Sequence, residues 1–203
     1  MRLGGWFLPE TPDVLGLLRH QLAVTIAGVD RFEAWAAGDV SAGQAVVDTE
    51  RDGEAAKREL LSALRAAFVT PLEPEDVFAL SRGVDRILNS ARDLVNESDA
   101  MACPPDAGIA EMARLLGVAL QHIDDAIARL GSDGEEATAS ADAAISTERQ
   151  LQRAYYTGVV GLLALGDRSE RIARRELYRR CSRIGETVVE VADRVVYAVV
   201  KQS

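Results

Sequence analysis

Apolar side chains return every third or fourth position through most of this chain, the spacing that lines one face of a helix. Six such stretches can be traced. Leu15, Leu18, Leu22, Ile26, Val29, Phe32 and Ala36 predict a first helix from about Pro12 to Ala37, halted by Gly38-Asp39. A second, from about Ala42 to Phe68, carries Leu60, Leu61, Leu64 and Phe68 in its lower half. Higher up, Val47, Glu50 and Glu54 put carboxylates at the edge of the apolar stripe. Val77, Leu80, Val84, Leu88 and Ala91 predict a third helix from Pro74 to about Asn96. Cys103-Pro104-Pro105 then bars continuation. A fourth helix, Ala107 to Leu130, follows from Ile109, Met112, Leu116, Ala119, Ile123, Ile127 and Leu130. Ile145, Glu148, Leu151, Tyr155, Val159 and Leu162 predict a fifth from Glu135 to Leu165. Tyr178, Cys181, Gly185, Val188, Ala192, Val195 and Val199 predict a sixth from Arg168 to Val200.

The double proline divides the chain into halves, 1–100 and 101–203, with three helices each. Two short motifs recur in the same order on corresponding helices. Thr49-Glu50-Arg51 returns as Thr147-Glu148-Arg149, and Ser81-Arg82-Gly83-Val84-Asp85 returns as Ser182-Arg183-Ile184-Gly185-Glu186. The pattern predicts an all-α protein: six long helices forming two antiparallel three-helix bundles related by internal duplication. A helix of 27 residues is about 40 Å long, so bundles joined end to end would make an elongated molecule.

Composition narrows the function. The chain has 203 residues and a formal net charge of −9, which argues against broad nucleic-acid binding. With only two cysteines, Cys103 and Cys181, no disulfide framework is implied. No secretory signal is read in Met1–Pro9, and no apolar run is long enough to span a membrane, so a cytoplasmic chain is expected. Trp6, Phe7 and Leu8 are expected to pack on the first helix or to anchor on a membrane surface or partner.

Candidate chemistry lies in carboxylates and arginines. Residues four apart lie one above the other on a helix. Glu50 and Glu54 make such a pair on the second helix, Asp85 and Asn89 on the third. Glu54 and Asp85 lie almost equally far from Thr70, on either side of it. If the two helices are antiparallel, the pairs converge at one level, and four oxygen ligands suit a divalent cation. The competing reading is a solvated acidic face. Neither His20 nor His122 follows a glutamate at the spacing used by di-iron bundles, and no nucleophile–base set is evident. Arg168, Arg171, Arg175, Arg179 and Arg183 form a basic stripe on the sixth helix. It is either a solvated face paired with Glu170 and Glu176, or a docking face, centred on Arg171, Arg175 and Arg179, for an acidic partner loop or anionic lipid heads.

The turn between the second and third helices carries a resemblance. Thr70-Pro71-Leu72, Glu75-Asp76, Leu80 and Val84-Asp85 resemble the signature of the PhoU-like accessory proteins encoded with Pit-type phosphate transporters. The resemblance runs from about Pro12 to Lys201. It implies the PhoU-like fold of two three-helix bundles. It also implies a non-enzymatic accessory or regulator of inorganic phosphate transport, acting on the cytoplasmic side of a Pit-type phosphate transporter. Peripheral membrane association and a homo-oligomer fit the same picture. The family holds metal through acidic pairs on these helices, which carries over to Glu50, Glu54, Asp85 and Asn89, and in the second half to Glu148 and Glu186, with a divalent or iron-type metal ion. Gln152 and Ser182 depart from the acidic pattern, so the second site is expected to bind more weakly. Two alternatives stay open: a helical adaptor unrelated to phosphate, and a carboxylate-metal hydrolase, which would need an open coordination position and a general base.

Overall fold

Helix starts in this chain are written mostly in aspartate. The structure, a computed structural model, describes residues 12–202. Among them are six α-helices: α1 (Val14–Ala36), α2 (Val40–Ala66), α3 (Pro74–Ala100), α4 (Ala107–Arg129), α5 (Gly134–Gly161) and α6 (Arg168–Gln202), with a short 3-10 turn at Leu162–Ala164. No strand occurs among the described residues. The first turn of a helix has N–H groups without intrahelical partners, and an aspartate just before it can accept from them. Asp13 accepts from the Gly16 N–H at 2.8 Å, Asp39 from Ser41 at 3.0 Å, Asp133 from Glu136 at 3.1 Å and Asp167 from Ser169 at 2.7 Å. Asp106 accepts from both Gly108 and Ile109, at 3.0 and 3.1 Å. Only α3 starts differently, with Pro74 in its first turn and Glu75 and Asp76 facing the positive end of the helix dipole. Trp6, Phe7 and Leu8 lie outside the described residues.

The periodic stripes become the core. All seven residues named for the fourth helix are buried, as are Val77, Leu80, Val84, Leu88 and Ala91 on α3. Phe68 is the exception. It was placed on the apolar stripe of the second helix but is 96% exposed. The chain leaves helical geometry at Ala67, where ψ is 128°. Pro71 has no N–H for the Ala67 carbonyl and its ring would crowd that carbonyl in a helix, so the last turn that would have aimed Phe68 inward never forms.

α1, α2 and α3 pack together, as do α4, α5 and α6. The two sets do not meet end to end. They lie side by side, α3 antiparallel to α6 and α1 antiparallel to α4. Ion pairs mark both seams. Asp76 at the start of α3 meets Arg194 late in α6 at 2.7 Å, and Glu97 near the end of α3 meets Arg180 early in α6. Arg19 of α1 meets Asp124 of α4 at 3.3 Å. The reason is the width of the α3 stripe. Val77, Leu80, Gly83, Val84, Ile87, Leu88, Ala91, Leu94 and Val95 are all buried, more than one neighbour can cover. Each fully buried aliphatic side chain contributes about 1.5–3 kcal/mol, and one continuous core runs through both sets. Gln21 and Ser81, both buried inside it, satisfy each other: the Gln21 amide donates to the Ser81 carbonyl at 2.9 Å, and the Ser81 hydroxyl donates back to the Gln21 amide oxygen at 2.7 Å. No helix among the described residues is long and apolar enough to cross a membrane.

The α3–α6 seam is set by a glycine. A Cβ at Gly83 would lie 2.4 Å from Val191 Cγ2, and Val191 is a stiff, buried β-branched residue. Gly83→Ala should therefore destabilise the protein by about 1–2 kcal/mol, overpacking outweighing the better helix propensity of alanine. Urea unfolding followed by circular dichroism measures this. A stability equal to or above that of the unsubstituted protein would show that the seam yields freely.

Candidate functional site

Two leucine-to-glycine contacts bring the predicted carboxylates together. Leu88 of α3 projects towards α1 and α2 where both offer glycine: a Cβ at Gly28 would lie 2.4 Å from Leu88 Cδ1, and one at Gly53 3.0 Å from Cδ2. With α3 so close, Lys57 of α2 reaches across. Its Nζ donates to Asp85 Oδ2 at 2.7 Å and contacts Glu54 Oε1 at 3.4 Å. Asn89 turns its amide nitrogen to the same Asp85 oxygen at 3.1 Å. Glu54, Asp85 and Asn89 thus meet at one level, as their distances from Thr70 predict, but around an ammonium group. Glu50, one turn away, is drawn off by Arg92, whose Nη1 lies 2.7 Å from Glu50 Oε1 and whose Nη2 donates to Asp93 at 2.8 Å. Burial alone would lower the Lys57 pKa. The bond and charge of Asp85, then those of Glu54, outweigh it and raise the value above the ordinary lysine range. Arg92 is raised in the same way by Asp93 and Glu50.

This donor set does not fit a metal ion. Among the described residues no group of three or more His, Cys, Asp or Glu side chains is placed to hold one. Sequence reading missed Lys57 and Arg92, although the signal was available. Lys57 stands three residues after Glu54, and Arg92 three after Asn89, each on the flank already singled out. In the second half Glu148 is buried. It accepts from Gln152 Nε2 at 2.7 Å, and the same amide donates to the Ser182 hydroxyl at 2.9 Å. Glu186 is exposed and stays apart from this group. Thr49 and Thr147, the matching threonines, each donate to the carbonyl four residues back, at 2.6 and 2.9 Å.

The basic stripe of α6 separates into roles. Arg171 is half-buried and donates to the Leu165 carbonyl, tying the α5–α6 turn to α6. Arg179 is paired with Glu176 on its own helix at 3.0 Å. Arg175 is exposed, as are Arg168 and Arg183. Apolar side chains that the sequence reading did not single out are also exposed on α5, the turn after it and α6. Tyr156, Val160 and Leu163 are 64%, 66% and 76% exposed, and Ile172 is 60% exposed. Tyr156, Val160 and Leu163 share one face of α5 and the following turn, and Arg168, Ile172 and Arg175 share one face of α6.

A third constellation was also missed. Tyr178 donates to Asp106 at 2.9 Å, and Arg174 bonds Asp106 at 3.0 Å and Glu170 at 2.9 Å. This clasp fastens the segment after Pro104-Pro105 to α6. Cβ atoms at Gly108 and Gly158 would lie 2.4 and 2.8 Å from Tyr178, so glycine is needed on both sides of the ring. Burial first, then the bond to Asp106, pushes the Tyr178 phenol up. A groove of about 600 Å³ opens beside it, floored by Gly108, Ala154, Gly158 and Leu162 and rimmed by Asp106, Glu111 and Glu170. Burial pushes both thiols, Cys103 and Cys181, up, which disfavours the reactive thiolate.

These features define a class: an all-helical scaffold whose charges are largely paired within the fold, with apolar and basic side chains left exposed towards the α5–α6 end. Neither a family model nor a curated protein matches the sequence. Solved structures do match the fold. One, a PhoU-like protein from Shewanella oneidensis MR-1, gives a TM-score of 0.73 at 14% identity, covering 92% of this chain and 99% of its own. Another from the same organism, described as a PhoU-like phosphate regulatory protein, gives 0.78 at 15% identity, covering 94% of this chain and 97% of its own. The chain has the PhoU-like fold that the Thr70–Asp85 signature implies. At such identities the likeness speaks for architecture.

Asp106 both caps α4 and receives Tyr178 and Arg174, whereas Asp133 only caps α5. Asp106→Ala should cost about 2–4 kcal/mol, the cap plus orphaned partners, against about 1 kcal/mol for Asp133→Ala. Paired denaturant titrations test this. Equal losses would reduce Asp106 to an ordinary cap.

Proposed function

We propose that the chain is a non-enzymatic regulator of inorganic phosphate transport that docks on the cytoplasmic side of a Pit-type transporter. The observation that carries this reading is the fold, shared over nearly the whole chain with a protein described as a PhoU-like phosphate regulatory protein. The docking surface would be the α5–α6 end. On a chain of net charge −9, Arg168, Arg175 and Arg183 stand exposed beside Tyr156, Val160, Leu163 and Ile172. Exposed apolar side chains supply contact area, and guanidinium groups supply complementarity to an acidic loop. Arg171 and Arg179, tied to Leu165 and Glu176, would shape this surface more than bind through it. The hydrolase reading draws little support, because Lys57 and Arg92 already bond the carboxylates it would use.

The experiment is co-purification from detergent-solubilised membranes with a tagged transporter. A Leu163→Ser, Arg175→Glu variant should lose the transporter while keeping its helicity. Arg114→Glu, on α4 and already paired with Glu111, should retain it. Retention by both variants would remove the α5–α6 end from the interface. If the unsubstituted protein failed to co-purify and its deletion left phosphate uptake unchanged, the helical adaptor unrelated to phosphate would stand instead.

A further inference from the structure

We propose that the cation position between α2 and α3 is filled by the chain's own side chains, with the Lys57 ammonium where the resemblance implies a metal ion. This goes beyond the transport reading and does not depend on it.

Asp85 Oδ2, Glu50 Oε1 and both Glu54 oxygens already face nitrogen atoms of this chain. Asp85 Oδ2 is 2.7 Å from Lys57 Nζ and 3.1 Å from Asn89 Nδ2. Glu54 Oε1 is 3.4 Å from the same Nζ, and Arg58 lies 3.9 Å from Glu54 Oε2. Glu50 is held by Arg92 at 2.7 Å. An incoming divalent ion would have to share Asp85 with an ammonium about 3 Å away, and like charges at that distance repel strongly in a half-buried seam. Asn89 would also have to reverse its amide, since it now offers hydrogen atoms.

Lysine suits this position. Its charge is compact, carries three donors and sits on a flexible stem that spans the gap between helices. It is also covalently supplied. A metal must be captured from solution, whereas Lys57 arrives whenever α2 packs on α3. The second half reaches the same end by other chemistry. Gln152 and Ser182 are neutral, and Gln152 donates to Glu148, so its one buried carboxylate is satisfied without a cation of any kind. The helix seams in both halves are therefore held without metal.

The test uses the full chain purified without chelator. Elemental analysis should find far less than one equivalent of manganese, iron or zinc. Chelator and added Mn²⁺ should each leave the melting temperature unchanged. A Lys57→Ser, Arg92→Ser variant exposes Glu50, Glu54 and Asp85 to one another. It should melt lower than the unsubstituted protein and be raised by Mn²⁺, by roughly 2–4 °C for each 1 kcal/mol of binding. Should the double variant fail to fold, Lys57→Gln keeps the stem and should show the same sign with a smaller shift. Stoichiometric metal in the unsubstituted protein, lost in Asp85→Asn, would overturn the proposal. A folded Lys57 variant that gained no response to Mn²⁺ would overturn it too, since the ammonium would then not occupy the cation's place.

Discussion

The closeness of α3 to its neighbours decides most of what this protein displays. On one side Leu88 lies against Gly28 and Gly53, and on another Gly83 lies against Val191. Where glycines allow backbones to approach, short-range contacts replace solvent. Lys57 can then span from α2 to Asp85, and Arg86 and Arg194 can reach Glu190 and Asp76 across the α3–α6 seam. With a larger residue at Gly53 the helices would separate, and the same carboxylates would face water. The seam geometry is thus the cause of the charge pairing.

That pairing has unequal energetic weight. Arg86 and Glu190 are both half-exposed, so their contact falls in the class of surface pairs worth little. Asp76 is nearly fully buried, with Arg194 and Lys201 against it, and losing both partners would strand a carboxylate in the core. Lys57 and Asp85 stand between these cases. The α5–α6 end is different in kind, because its exposed arginines and apolar side chains have not been drawn into the fold. Charges satisfied internally serve architecture, and those left outside beside exposed apolar area are the ones available for recognition.

Much of this was legible in sequence because helices are local. The apolar period, Gly38-Asp39, Pro74 and the double proline after Cys103 placed every helix within a few residues. Phe68 failed because its burial needed one more turn of α2 than the chain makes. The carboxylate level was right, since helical rise fixes height. Lys57 and Arg92, which bond these carboxylates, were not read as part of the same seam.

Sequence by itself determined six helices and their apolar stripes, because each depends on contacts within a few residues along the chain. Only the tertiary structure decided that the two sets lie side by side. The breadth of the α3 stripe shows that it has two partners, but not which helices they are. It also decided that Glu54 and Asp85 close on an ammonium, that Asp106 collects Tyr178 and Arg174 from α6, and that Arg175, among the three arginines first set apart on α6, is the exposed one. Each of these depends on a rotation between helices that are distant in sequence. That rotation is set by where glycines let the backbones close, and no periodicity along one strand of sequence records it.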